Sequence, residues 1–480
     1  MTRTVEQSSN GVEARLPRAS TAASAADRGA IGKDVRKEAP RSSHADWNPP
    51  SDRRSPVDVL CEQDETRVPE LVPIRHGRML ASAFTFYRGA AAVMAADLAH
   101  TPISGLEVQL CGDAHLSNFG VYAAPDRSLV FDCNDFDETL PGPFEWDVKR
   151  LAASLAIAGR DRGFAKRERR TVALAATAEY RTAMRGFAAM RDIEVWYARF
   201  DVNSVLRELG PSLKGSKRRE VEKALDKAHH KDSLRALAKL TRRVDGEPRI
   251  ISDPPLIWPI EELAGGRDVE AELTALLAAY RRTLAGDRRH LVGRYRYADA
   301  AHKVVGVGSV GTRAWILLLL GRDDEDPLFL QAKEAGASVL EPYSGRSRFN
   351  HHGRRVVEGQ RLMQAASDIF LGWVTVESGI DGGRHEFYVR QLWDGKGSAN
   401  VEGMRPSDMA IYARLCGWTL ARAHARSGDR IAIAAYLGGG TSFDEAIAEF
   451  AEAYADQNER DYAAMIGAVQ DGRIAVQEGL

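Results

Sequence analysis

The most apolar run of the chain, AWILLLL from Ala314 to Leu320, sets the first limit on its architecture. It falls far short of the ~20 residues that a helix needs to cross a bilayer, and it has the length of a buried strand. It sits inside VVGVGSVGTRAWILLLLG, where Gly306, Gly308 and Gly311 spell G-x-G-x-x-G. Glycines so placed predict a tight turn within a hairpin. Leu328 to Lys333, LFLQAK, follows as the next strand. Val356, Met363, Ala366 and Phe370 then share a helical face, and His385 to Leu392 reads as a further strand. Residues 301–400 are therefore expected to form a β-rich unit.

The rest of the chain reads as helical. At 480 residues, with 44% hydrophobic and 28% charged, there is enough apolar material for two or three cores. The formal net charge of -1 gives no overall pull toward nucleic acid or membrane. Cys61, Cys111, Cys133 and Cys416 show no C-x-x-C spacing, which argues against structural zinc and fits a reducing, cytoplasmic setting. No apolar signal-peptide core opens the sequence. Residues 1–45 are rich in Ser, Ala, Arg, Lys and Gly, and their composition predicts a disordered tail. An extended stretch to Ile74 precedes a helix from Arg78, with Met79, Phe84, Phe86, Tyr87, Ala91 and Met94 on its apolar face and Thr101-Pro102 as its stop.

Two polar clusters interrupt apolar surroundings: LCGDAHLSNFG, 110–120, and LVFDCNDFDET, 129–139. Leu106, Val108 and Leu110 alternate as a strand, and Leu129 to Phe131 form a second, so a ribbon turning at Pro125-Asp126 is expected to join the clusters. Phe144 to Gly159 has helical spacing and should pack beneath that ribbon. Residues 165–262 read as mainly helical. Their basic stretch from Lys214 to Lys231 is interleaved with Glu220, Glu222 and Asp226, so a solvated helix face is expected rather than a nucleic-acid site. Phe443, Ala446, Phe450, Tyr454 and Tyr462 mark a C-terminal helix within 401–480, packing on a helical lobe that spans 46–300.

G-D-A-H-L-S-N at 112–118 is similar to the G-D-x-H-x-x-N catalytic loop of aminoglycoside phosphotransferases and related protein-kinase-like enzymes. Its Asp-to-Asn interval equals that of the kinase loop D-x-x-x-x-N. Asp135-Phe136-Asp137 resembles the metal-binding segment that follows such loops. The longer string through NDFDETLPGPFEWDVKRLAAS resembles the bacterial family called domain of unknown function 2252, over most of the chain after about residue 35. The kinase-like resemblance implies a two-lobed α+β fold that binds ATP and Mg²⁺. It implies that Asp113 acts as base or substrate-orienting group, that His115 orients the loop or contacts phosphate, and that Asn118 and Asp135 hold the metal. Gly306, Gly308 and Gly311 would cradle phosphates, and Lys333, paired with Glu358, would reach the α/β-phosphates. Asp147 matches the structural aspartate that anchors the loop in these enzymes. The pattern departs at Cys111, where the phosphotransferases carry His, and at Asp137, where protein kinases carry Gly.

The order is inverted: the catalytic loop comes first and the nucleotide-binding unit second, as in a circular permutation of the kinase-like fold. The helix over Tyr412 to Arg426 resembles the one that leads into a catalytic loop. Asp429 beyond it is a competing base, but no Asn follows at the required interval. The expected activity is phosphoryl transfer to an unidentified hydroxyl acceptor. Nucleotidyl (AMP) transfer, a metal-dependent phosphoesterase built on Asp113 and His115, and a non-catalytic ATP-binding scaffold stand as alternatives. The plain role of these residues is a hydrogen-bonded turn, since Asx side chains commonly cap local backbone.

Overall fold

The computed structural model describes residues 23–202, 223, 233–266, 269–304, 306–392, 395 and 397–479. At its centre lies the helix Phe144–Asp161, buried along almost its whole length. Glu145 and Asp147 occupy its first turn, where carboxylates complement the positive end of the helix dipole. Around it pack the helices Lys166–Ala189, Pro406–Ser427 and Ser442–Gln470. The last presents Phe443, Ile447, Phe450 and Tyr454 at helical spacing to this core. Close approach of Pro406–Ser427 to Lys166–Ala189 requires Gly417: a Cβ there would lie 2.2 Å from the Ala176 carbonyl oxygen.

Several expectations for the helical part need correction. Residues 25–45 are ordered, as the helix Ala25–Glu38 and a 3₁₀ turn over Arg41–Ala45; residues 1–22 lie outside the described residues. Composition missed this order because polar contacts supply it. Arg36 and Arg41 donate to the carbonyls of Tyr436 and Leu437 at 2.8 and 2.7 Å, at the end of the helix Arg430–Leu437, where carbonyls lack helical partners. The helix expected from Arg78 is three short ones, Val72–Leu80, Ala83–Gly89 and Ala91–Leu98, because Ser82 and Thr85 form a capping box that starts a new helix. Most of the basic stretch 214–231 lies outside the described residues.

Strand β1, Glu107–Leu110, does not join the expected ribbon. The polar clusters are linked instead by β2, Phe119–Ala123, and β3, Leu129–Cys133, in register from Phe119 opposite Cys133 to Ala123 opposite Leu129. β1 pairs antiparallel with β4, Leu140–Pro143, which brackets the second cluster from its far side. β5, Phe200–Asp201, extends β3.

The region 233–262 is mixed rather than helical: after the helix Ser233–Leu240 come the paired strands β6, Thr241–Val244, and β7, Glu247–Ile250. A six-stranded antiparallel sheet then forms from β8 (Ile257–Pro259), β9 (Arg296–Lys303), β10 (Ala314–Leu320), β11 (Pro327–Glu334), β12 (Gly372–Val376) and β13 (His385–Gln391). Its order is β12-β13-β11-β10-β9-β8. The β-rich unit thus starts before residue 301, since β8 precedes it and β9 crosses it. β10 is buried on both faces, with Leu317 and Leu319 in one core and Ile316, Leu318 and Leu320 in another. The helix Ile260–Leu263 and the helix Val269–Arg282 cover one face of the sheet, while His352–Met363 lies between β11 and β12 in sequence. β14, Gly397–Ser398, returns the chain to β2. The class is therefore mixed α+β, with antiparallel sheets.

Candidate functional site

The first cluster is held from below. Asp147, buried on Phe144–Asp161, accepts hydrogen bonds from the backbone N–H of Cys111 at 2.7 Å and of Gly112 at 3.0 Å. His424 Nε2 lies 3.2 Å from the same carboxylate, and its Nδ1 meets the Tyr180 hydroxyl at 2.9 Å. Three helices thereby fix the start of the loop. Gly112 has φ +85, and a Cβ there would fall 2.3 Å from the Glu138 carbonyl oxygen, so the two polar clusters touch at a point where only glycine fits.

Within the loop, Asp113 is gripped by Arg150, whose Nε donates at 2.6 Å. His115 is buried, accepts from the Ser117 N–H at Nδ1, and holds Nε2 3.7 Å from the second Asp113 oxygen. Burial pushes its imidazole down to about 3, so it is neutral near pH 7. Asn118 donates its amide to the Asp113 carbonyl at 2.6 Å, which leaves its Oδ1 as the atom for a cation or donor. The Asn118 carbonyl accepts from Asn134 N–H at 2.8 Å, tying this loop to the second cluster.

Lys333 comes to that cluster from β11. Its ammonium lies 2.6 Å from Asp137 and 3.8 Å from Asp135, although Lys333 and Asp137 are 196 residues apart in sequence. β13 places Tyr388 opposite Lys333, and the Tyr388 hydroxyl donates to the other Asp137 oxygen at 2.6 Å. Burial works to raise the Asp137 carboxyl, but Lys333 and Tyr388 outweigh it and hold it at about 2. Asp135 is raised by burial and by the charge of Asp137. Lys333 is held well above its ordinary value by the two carboxylates, against burial. Burial pushes neighbouring Glu138 up to about 7.

The glycine-rich turn between β9 and β10 lies over the same place. The Gly306 carbonyl accepts from Arg78 at 2.6 Å, the Gly311 carbonyl accepts from Val68 N–H at 2.8 Å, and Gly308 rests against the Arg88 carbonyl. Ser309, at the centre of the turn, is 3.5 Å from Asp137. Arg88 feels the charge of Asp113, and its Nε is buried with no hydrogen-bond partner among the described residues.

The structure thus brings Asp113, His115, Asn118, Asp135, Lys333 and the turn of Gly306, Gly308 and Gly311 into one region. It does not bring Glu358 to Lys333. Glu358 faces outward from His352–Met363 and pairs with Arg354 and Arg361 of its own helix, at 4.0 and 3.7 Å. The inward position belongs to Arg355, which donates to the carbonyls of Thr139, Asp137 and Gly336. Asp429 is no base here: it caps the helix Arg430–Leu437 and pairs with Arg28. Tyr388, Ser309, Arg88 and Arg355 were not singled out in the sequence. For Arg355 and Tyr388 a signal existed, since Arg355 precedes the apolar pair Val356-Val357 and Tyr388 stands between Phe387 and Val389.

No cluster of three or more His, Cys, Asp or Glu arranged for a metal occurs among the described residues. No described helix is long and apolar enough to cross a membrane.

Fold and site together define a mixed α+β protein in which a sheet-borne lysine meets a carboxylate loop anchored on a helical core. The chain belongs to the family of uncharacterised proteins conserved in bacteria termed DUF2252, whose profile matches residues 67–468. Neither the curated proteins nor the solved structures give a match.

Proposed function

We propose that this site binds ATP with Mg²⁺ and transfers a phosphoryl group to a hydroxyl acceptor, on a kinase-like fold whose two halves are permuted in the chain. The observation that carries this reading is Lys333, 3.8 Å from Asp135. Kinase-like catalysis needs a lysine on the third strand of the nucleotide sheet beside a metal-holding aspartate. β9, the glycine-rich turn, β10 and β11, the strand that carries Lys333, follow one another here in that arrangement, and the helix His352–Met363 comes after the single helical turn Glu341–Ser344. The inverted order has a physical trace that supports it. The end of Pro406–Ser427 abuts β1: Ser427 Oγ accepts from Gln109 N–H at 3.1 Å. The helix that precedes a catalytic loop in such enzymes therefore ends where this loop's strand begins.

Asn118 Oδ1 and Asp135 are the residues that would hold the metal, which suits Mg²⁺ because that ion takes one or two protein oxygens and completes its shell with phosphates and water. When bound, it neutralises charge on the triphosphate. Asp135 fits this role, since a nearby cation would offset the burial and the Asp137 charge that raise it. Lys333 would bind phosphate oxygens, and Arg88 Nε, without a partner among the described residues, would give them a second donor. Asp113, with one oxygen committed to Arg150, would orient the acceptor hydroxyl with the other.

Calorimetry with ATP, with and without Mg²⁺, tests the reading on wild type, Lys333→Met and Asp135→Ala, with circular dichroism to confirm folding. Mg²⁺-dependent binding that weakens at least tenfold in both variants is expected. Unchanged affinity in folded variants would refute it. Mass analysis of products then separates phosphoryl from nucleotidyl transfer, and binding with neither product identifies a scaffold.

A further inference from the structure

We propose that the space between the six-stranded sheet and the helix Val269–Arg282 is a binding site for a neutral, largely apolar small molecule, such as a long-chain alcohol, that sets one hydrogen-bonding group on His302 Nε2. The proposal is independent of the nucleotide reading, because this space lies on the other face of the sheet from Lys333. Along β11, Gln331 and Lys333 point to one side while Leu330 and Ala332 point to the other.

The cavity measures about 820 Å³, inside the range of roughly 300–1,000 Å³ typical of small-molecule sites. Its floor is one face of the sheet, including Ala300, Trp315, Leu317, Leu330 and Ala332. Its roof is Leu273, Leu276, Leu277 and Tyr280, the i, i+3, i+4, i+7 stripe of the helix. A stripe and a sheet face of this kind ordinarily interdigitate. Here they stand apart, tied at the edge by the Tyr280 hydroxyl, which donates to the Phe370 carbonyl. An apolar hollow of this size keeps its lining in contact with water, a cost that an apolar occupant would remove.

His302 selects the class of occupant. It stands on β9 among apolar neighbours, 8% exposed, with its ring edge-on to Trp315 at 5.4 Å. Its Nε2 is buried without a hydrogen-bond partner among the described residues, and a buried polar atom so placed costs stability until something pairs with it. Burial pushes the imidazole down to about 4, so it meets the ligand uncharged. The cation at that end, Arg313, is already engaged by Glu334 and by Asp381, and His385 bridges the same two carboxylates. A free carboxylate would face Glu334 and Asp381 with no open cation among the described residues, which leaves a hydroxyl or an N–H as the matching group.

The test uses the full chain and the neutral dye N-phenyl-1-naphthylamine, whose single N–H suits His302 Nε2. Saturable fluorescence enhancement at one dye per chain is expected, displaced by 1-dodecanol and not by laurate at pH 8. Ala300→Trp on the floor and Leu276→Trp on the roof should each weaken dye binding at least tenfold; should one fail to fold, the other reads the same space. His302→Phe should lower dodecanol affinity about tenfold, the equivalent of ~1.4 kcal/mol, and leave dodecane unchanged. Lys333→Met should bind the dye like wild type. Absence of saturable uptake, wild-type binding in a folded cavity-filling variant, or displacement by laurate as strong as by the alcohol would overturn the proposal.

Discussion

Arg355 shows how much one side chain can hold. It is 2% exposed and satisfies the carbonyls of Asp137, Thr139 and Gly336, which belong to the carboxylate loop and to the chain just after Lys333. Replacing it with alanine strands three carbonyls at once, and each buried unpaired group costs ~1–3 kcal/mol. Arg355→Ala is therefore expected to lose about 3–5 kcal/mol in urea denaturation, in the range seen when one partner of a buried charged network is removed. Lysine at this position should recover less than half, because an ammonium cannot reproduce the planar fork that reaches several acceptors. A loss under about 1 kcal/mol for the alanine variant would show that the loop does not depend on it.

At the scale of elements, the 112–118 loop is positioned by helices as well as by its own turn. Asp147 joins two loop N–H groups to His424 on a second helix. Asp147→Asn keeps the shape but removes the charge, and asparagine cannot accept with both of its terminal atoms. A loss of about 1.5–3 kcal/mol is expected, the worth of hydrogen bonds to a charged group, read as a lower urea midpoint with unchanged slope. An unchanged midpoint would mean that the loop holds itself. Residue chemistry made the loop, the glycine-rich turn and Lys333 legible in sequence, because each depends on side-chain types at short fixed intervals. The partner of β3 was less so. FGVYA at 119–123 follows Asn118 directly, and the alternating 106–110 run offered a more conspicuous strand, whose true partner is β4. Glu358 was misplaced although Arg354, Glu358 and Arg361 already formed a charged stripe at i, i+4 and i+7, the mark of a solvent face. The ordering of 25–45 was hidden because it rests on arginines reaching carbonyls some 400 residues away, which composition cannot register.

For the whole molecule, buried neutral histidines set a pH limit. His44 and His115 are pushed down to about 3 and His302 to about 4 by burial, from an ordinary 6.5. Between those values the unfolded chain binds protons that the folded chain refuses, so the stability these rings contribute is full above pH 6.5 and drains as pH falls toward 4. Each histidine contributes a slope of at most about 1.4 kcal/mol per pH unit. Urea denaturation at pH 7.5, 6.0 and 5.0 should show a shallower loss toward acid in His302→Phe than in wild type. Glu138, pushed up to about 7, acts with the opposite sign over the same window in wild type and variant alike, so an identical profile for His302→Phe would contradict the burial of that ring as a neutral group.

β11 carries residues for two different purposes on its two sides, Lys333 toward the carboxylates and Ala332 toward the cavity. Side chains alternate with a period of two, so a slip of a single residue exchanges the faces entirely. The strand is in that sense a reading frame. Deleting one residue ahead of Leu330 would send the lysine into an apolar chamber and an alanine to Asp137, disturbing both faces with one lesion, whereas deleting two would restore the phase.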